Sequence, residues 1–339
     1  MLKKLKIQNF RLFQTLHVDS LNHVNLFVGK NNSGKTSFLE ALYLLFGPKQ
    51  DFEQFSSTFR NPQGHVIDDF ENFWTWLCYG RNPDTKVQIS ASSIDLEHDY
   101  LIRLESTANT IKVDYYDHKP DTNSTAEQQT PLETRTIHRI SRASLSSIRK
   151  EWPTVSVFST RLRTTEEDTR LFNQIAIKRG GRQRLIELLK KTEPRLQDLQ
   201  YLQLGTKPFI YADVGLETLI PVSQLGQGFG RLLQIFSEVI LSETKILLID
   251  EIENGLSYKA QLDLWQGLAE STHRTDIQIF ATTHSYECVQ AAHEVYAHDE
   301  PHDFTLHRLE RRYDDNIHIV TYNPMTLETA MKLEFEVRG

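Results

Sequence analysis

The stretch VNLFVGKNNSGKTSFLEAL, Val24 to Leu42, constrains this chain more than any other. Val24–Val28 is a compact apolar run of strand length, and Gly29–Gly34 breaks it. Thr36–Phe46 then places Phe38, Leu39, Ala41, Leu42, Leu45 and Phe46 at helical spacing, and Gly47-Pro48 stops the helix. Between strand and helix, Gly29-x4-Gly34-Lys35-Thr36 matches the phosphate-loop pattern GxxxxGK[ST] in full. Each residue type has a reason to be there. Gly29 and Gly34 permit backbone angles that a Cβ would block. The amides of Asn31, Asn32, Ser33, Gly34, Lys35, Thr36 and Ser37 surround an anion at a helix N-terminus. Lys35 supplies charge between the β- and γ-phosphates, and the Thr36 hydroxyl is a Mg²⁺ ligand.

Three more motifs follow. Ile246–Ile249 is an apolar run ending in Asp250 and Glu251. At the tip of a parallel strand, Asp250 serves Mg²⁺ through water and Glu251 polarises the attacking water as general base. Ile277–Ser285 is a second apolar strand, and His284 at its end is in position to sense a γ-phosphate. Pro221–Ile235 crowds Gly226, Gly228 and Gly230 at the start of an apolar helix carrying Leu232, Leu233 and Ile235. A glycine-rich helix N-terminus is a second phosphate site. The chain already has a loop for its own nucleotide, so this one suits a nucleotide presented by another copy.

Phosphate loop, glycine-rich signature, strand-Asp-Glu and strand-His, in sequence together, look like an ATP-binding-cassette ATPase. The wording IQNFRLF, GKNNSGKTSFLEAL, SQLGQGFGRLL, LLIDEIENGL and FATTHSYECV resembles the overcoming-lysogenization-defect (OLD) group, akin to the SMC, Rad50 and RecF ATPases. Residues 1–47 and 205–339 carry this strongly, the middle weakly. The fold implied is α/β: an ABC-ATPase (P-loop NTPase) head with an antiparallel β meander and a helical subdomain. Its two halves would occupy residues 1–116 and 206–339, with 117–205 as an inserted helical subdomain.

The resemblance also implies a head-to-head dimer that sandwiches two ATP–Mg²⁺. Leu225, Gly226, Gln227 and Gly228 stand where transporters have LSGG. Gly226 replaces the usual serine, so a hydroxyl contact is lost, with backbone amides or Ser223 as substitutes. Glu253–Leu256 occupies the D-loop region, and Arg11 is a further candidate for nucleotide contact. Long OLD proteins continue into a Toprim nuclease domain, whereas this chain runs 55 residues past His284. SMC and Rad50 proteins insert long coiled coils where this chain has non-heptad sequence. A stand-alone engine controlling a separate effector, such as a nuclease in anti-phage defence, is the expectation by analogy. The alternatives are an ATP-held scaffold with little turnover and a RecF-like DNA-repair clamp.

Bulk properties exclude several classes. A net charge of −7 over 339 residues is no basic nucleic-acid coat, so DNA contact needs a local patch. Arg135, Arg139, Arg142 and Arg149 share one face if residues 135–150 are helical, and Lys178, Arg179, Arg182 and Arg184 form a second basic cluster. Cys78 and Cys288 form no CxxC pair, which fits a reducing compartment. No apolar run reaches membrane-span length, and the N-terminus has no signal-peptide core, so a cytoplasmic protein is expected. His293, His298, His302 and His307 are a weaker metal-site candidate, better read as a solvated loop. The aromatic cluster Phe52, Phe55, Phe59, Phe70, Phe73, Trp74 and Trp76 reads as core and lid packing.

Overall fold

Apolar strands with no polar alternation need cover on both faces, and the architecture supplies it. In the computed structural model, the described residues are 1–47, 70–93, 98–107, 110–118, 131–138, 152–159, 165–203, 208–241, 244–272, 274–297, 303–312 and 316–332. A six-stranded sheet has β3 (Val24–Val28) at its centre. It is flanked on one side by β13 (Gln278–Thr282), β12 (Ile246–Ile249) and β8 (Val155–Phe158), all parallel to it. On the other side lie β14 (Phe304–Arg311), also parallel, and the antiparallel edge strand β15 (Ile317–Tyr322).

Successive side chains on these strands feed two different cores. Val24, Leu26 and Val28 join Leu247 and Ile249 in one core. There they meet α5 (Gln227–Leu241), α6 (Tyr258–Thr272) and α7 (Tyr286–Tyr296). Phe27, Ile246 and Leu248 point the other way, onto α1 (Lys35–Phe46). Phe27 stacks on Phe38 of α1 with ring centroids 4.0 Å apart. The helix after the phosphate loop is therefore buried between two sheets, and every residue of it from Ser37 to Phe46 is buried.

The second sheet is the antiparallel meander, in the order β2 (Phe13–Val18), β1 (Leu2–Phe10), β4 (Val87–Ser93), β5 (Asp99–Thr107), β6 (Thr110–His118), β7 (Glu133–His138). The Gln278 side chain ties the two sheets together. Its Oε1 accepts from the Leu2 amide at 2.8 Å, and its Nε2 donates to the Leu2 carbonyl at 2.9 Å. A small sheet of β9 (Asp198–Gln203), β10 (Pro208–Asp213) and β11 (Ile220–Pro221) packs with α3 (Thr165–Ile177) and α4 (Gly181–Leu189) beside α5.

Residues 133–138 are a strand, where the spacing of arginines suggested the start of a helix. The backbone of Arg135 pairs with Val113 of β6, so ladder bonds decide the conformation locally. Arg139, Arg142 and Arg149 lie outside the described residues, as do Phe52, Phe55 and Phe59. Within segment 117–205, β7 joins the meander and β8 joins the parallel sheet. Trp74 of the helix α2 (Phe70–Leu77) is buried, while Trp76 on the same helix is exposed. Cys78 and Cys288 are buried free thiols. His307 belongs to the core. Its Nδ1 lies 3.1 Å from Thr321 Oγ1, its ring stacks on Phe27, and burial pulls its pKa down to about 3. His298 and His302 fall outside the described residues, among which no group of three or more His, Cys, Asp or Glu side chains is placed to hold a metal ion. No described helix is long and apolar enough to cross a membrane.

Candidate functional site

The ends of β3, β12 and β13 converge where the sheet's parallel strands terminate, the place at which open α/β sheets bind ligands. A cavity of about 340 Å³ opens there, within the size range of small-molecule sites. It is lined by Asn31, Asn32, Ser33, Gly34, Lys35, Thr36 and Ser37, together with Asp250, Glu251, Thr282, His284 and Leu12. Three of the four motifs, spread over about 250 residues of chain, thus meet at one cavity, and the signature does not.

The phosphate loop is built to accept an anion. Gly34 caps α1 with φ +98°, and a Cβ there would lie 2.8 Å from Phe13 Cζ, so only glycine fits. The cap gives no side-chain hydrogen bond to the helix N-terminus, and no acidic residue stands in the first turn. The amides of a helix's first turn have no intrahelical acceptor, which suits them to an anionic ligand. Ser33 Oγ is buried without a hydrogen-bond partner beside them. The Lys35 ammonium bridges the loop's own carbonyls, donating to Gly29 O at 2.6 Å and Lys30 O at 3.0 Å. An ammonium has three donors, which leaves one for a phosphate oxygen. Burial lowers the Lys35 pKa, against the raising influence of Asp250, Glu251 and Glu253. A triphosphate brings the negative charge that this partly desolvated cation lacks.

The carboxylates stand opposite. Thr36 Oγ1 is 3.3 Å from Asp250 Oδ2, so the hydroxyl and the carboxylate are placed to share one Mg²⁺ with bound phosphates and water. Asp250 is held at both ends of its backbone. Its amide donates to Phe158 O at 2.7 Å, and its carbonyl accepts from Arg231 Nη2 at 3.1 Å. Glu251 adopts φ +49°, a left-handed conformation unusual for glutamate. The His284 ring has Nδ1 3.4 Å from Glu253 Oε1 and 3.9 Å from Glu251 Oε1. The same Glu253 oxygen accepts the His284 amide at 3.2 Å. Glu253, read from sequence as the start of the D-loop, thereby orients the histidine.

Of the signature residues Leu225, Gly226, Gln227 and Gly228, none lines this cavity. Gly226 and Gln227 instead line a separate hollow with Ser223, Gly230 and Arg231. Gly228 abuts the D-loop, since a Cβ on it would come within 2.9 Å of Gly255 O. Arg231, three residues on, also donates to Ser159 O at 3.0 Å. The signature helix α5 is thus hydrogen-bonded directly to the end of the Asp250 strand. Arg231 escaped sequence reading because an arginine in an apolar helix gives no hint of its acceptors.

Leu12, not Arg11, lines the cavity. The Arg11 guanidinium is turned to the buried Glu40 of α1, with Nε 3.3 Å from Glu40 Oε2, and donates from Nη1 to Trp76 O at 2.9 Å. It fastens the β1–β2 turn to the back of the phosphate-loop helix. Arg11→Ala is expected to destabilise the fold by about 3 kcal/mol, because it leaves a carboxylate buried without its cation. Urea unfolding measures this, and a loss below about 1 kcal/mol would refute the pairing's importance.

Comparison with known proteins identifies the fold and the family. A Helicobacter pylori protein named ATP/GTP phosphatase is 21% identical over 336 residues, covering 87% of this chain and 88% of that one. The DNA replication and repair protein RecF of Lactobacillus acidophilus is 40% identical over 72 residues, which span only 19% of each chain. An SMC head solved bound to the C-winged helix domain of ScpA superposes with a TM-score of 0.59 at 12% identity, over 98% of this chain and 99% of that one. The SMC head domain from Thermotoga maritima gives 0.52 at 15% identity, over 95% of this chain and 99% of that one. The fold is therefore that of an SMC-type ABC ATPase head. The family model described as "AAA domain, putative AbiEii toxin, Type IV TA system" matches residues 24–289, most of the chain and every motif at the cavity, and the chain belongs to that AAA-domain family.

Proposed function

We propose that two copies of this chain close head to head around two ATP–Mg²⁺ and hydrolyse them. The observation that carries the reading is the division of the site. One chain presents a complete phosphate loop with its carboxylates and histidine, while its glycine-rich signature lines a different hollow. A second copy supplies the missing half. The relative named ATP/GTP phosphatase, matched over most of both chains, supports hydrolysis.

Within the closed pair the roles divide by position. The first-turn amides of α1, Ser33 Oγ and Lys35 hold the phosphates. Thr36 and Asp250 would hold Mg²⁺, which would supply neutralisation of the phosphate charge. Glu251 accepts a proton from the attacking water, and His284, oriented by Glu253, faces the γ-phosphate. Because that phosphate links the subunits, its loss opens them. The engine controls a separate effector, with a nuclease in anti-phage defence as the specific form. That step rests on the OLD-like wording of the motifs. Co-purification from the native host tests it, and the absence of any stoichiometric partner would count against it.

The dimer has its own test. Gln227 is exposed at the start of α5. Gln227→Glu sets a carboxylate against the partner's phosphates and is expected to leave ATP binding to the monomer intact while removing ATP-dependent association. Sedimentation with ATP, in a Glu251→Gln background, reads the result. A parent that stays monomeric at saturating ATP would sink the sandwich reading. Stable ATP-filled dimers without turnover in the chain that keeps Glu251 would instead favour the scaffold. The local RecF similarity supports a DNA clamp only as far as shared head motifs. A salt-sensitive, ATP-dependent mobility shift on gapped duplex would favour it.

A further inference from the structure

The structure assigns a positioning role to Thr282: its single hydroxyl sets both the metal-binding carboxylate of Asp250 and the general-base residue Glu251. This inference rests on the ATPase reading above. It concerns a residue that carries none of the motif chemistry.

Thr282 ends β13 and is fully buried, 0% exposed. Strands β12 and β13 run in parallel register, Ile249 beside Ala281, so the next residue on each strand meets at the strand tips. There Thr282 Oγ1 lies 2.6 Å from Asp250 Oδ1 and 2.9 Å from the Glu251 amide nitrogen. The chemistry permits one arrangement. An ionised carboxylate only accepts, so the hydroxyl proton goes to Asp250, and the hydroxyl lone pair accepts the Glu251 N–H. One side chain thus orders two consecutive residues on the neighbouring strand.

Both ordered groups need the help. Pinned through Oδ1, the Asp250 carboxylate keeps Oδ2 towards Thr36 Oγ1 at 3.3 Å. Glu251, at φ +49°, stands in a left-handed region that a glutamate keeps only where its surroundings over-determine it. Thr282 supplies that determination twice. Its hydroxyl accepts the Glu251 amide, and its carbonyl accepts the Ile252 amide at 3.0 Å. Removing the hydroxyl releases the carboxylate and the strained peptide together, whereas the carbonyl contact and the β13 backbone stay. Thr283, the next residue, hydrogen-bonds elsewhere, its Oγ1 accepting the Ser285 amide at 3.0 Å.

Thr282→Val, near-isosteric and lacking the hydroxyl, is the test, with Thr282→Ser as the variant that restores it. For Val we expect kcat about 10–100-fold lower with KM for ATP changed less than about threefold, since the lost bonds orient rather than bind. Serine should return kcat to within about threefold of the parent. Two readouts do not depend on turnover. Half-saturation by Mg²⁺ for binding of a non-hydrolysable ATP analogue should rise for Val and not for Ser. Amide hydrogen exchange across residues 250–253, in metal-free protein, should accelerate for Val alone. A merely structural threonine would lower the melting temperature while leaving kcat per folded molecule unchanged. Parent-like kcat, Mg²⁺ dependence and exchange in Thr282→Val would overturn the assignment. If the parent itself shows no turnover, the ATPase reading fails, and the Mg²⁺ and exchange arms still decide for or against Thr282.

Discussion

Glu251→Gln is expected to bind ATP as the parent does and to lose turnover by about 10²–10⁴-fold, the usual span for removing a positioned general base. The substitution keeps shape and the amide that Thr282 accepts, so the left-handed peptide at Glu251 is preserved. It removes a carboxylate that lines the cavity within reach of His284. Single-turnover hydrolysis measured beside equilibrium ATP binding separates the two effects. Parent-like hydrolysis would mean that another group takes the proton. Glu253 is then the next candidate, although its carboxylate is already engaged by His284. A nucleotide-filled, closed form should accumulate in this variant, which makes it the background of choice for detecting dimers.

Lys35→Ala acts on the ground state instead. The ammonium bridges Gly29 and Lys30 carbonyls and faces the cavity. Its removal deletes a charge-assisted contact to the β- and γ-phosphates, and also the brace that keeps the loop in shape. Charge-assisted hydrogen bonds contribute about 1.5–3 kcal/mol each, so a loss of about 10–150-fold in ATP affinity is expected. Titration with a fluorescent ATP analogue measures this, and unchanged affinity would remove the phosphate-loop assignment. A parent-like melting curve of Lys35→Ala without nucleotide is the control that separates lost binding from lost folding.

Much of the site was legible in the sequence because its motifs are local. GKNNSGKT states its loop within eight residues, and the strand before it and the helix after it are readable from apolar spacing alone. The runs ending at Asp250 and at His284 announce buried parallel strands by lacking alternation. Less was legible where one residue's role depends on another far along the chain. Arg11 follows a strand much as a nucleotide contact would, yet its guanidinium meets Glu40, 29 residues away. The arginines after residue 134 have helical spacing, but Arg135 sits in a strand because β6 offers it a ladder.

By itself the sequence determined that a phosphate loop, a carboxylate pair and a histidine at a strand end exist, since strand, turn and helix signals act over a few residues. Only the tertiary structure decided which atoms meet. Thr36 and Asp250 are 214 residues apart and lie 3.3 Å from each other, and Thr282 reaches back 32 residues to Asp250. It also decided that the signature stands outside its own chain's phosphate cavity, with Gly228 against the D-loop and Arg231 on the Asp250 carbonyl. Such contacts follow from the order and register of strands in the sheet, which arise from packing of the whole chain and are written in no single stretch of it.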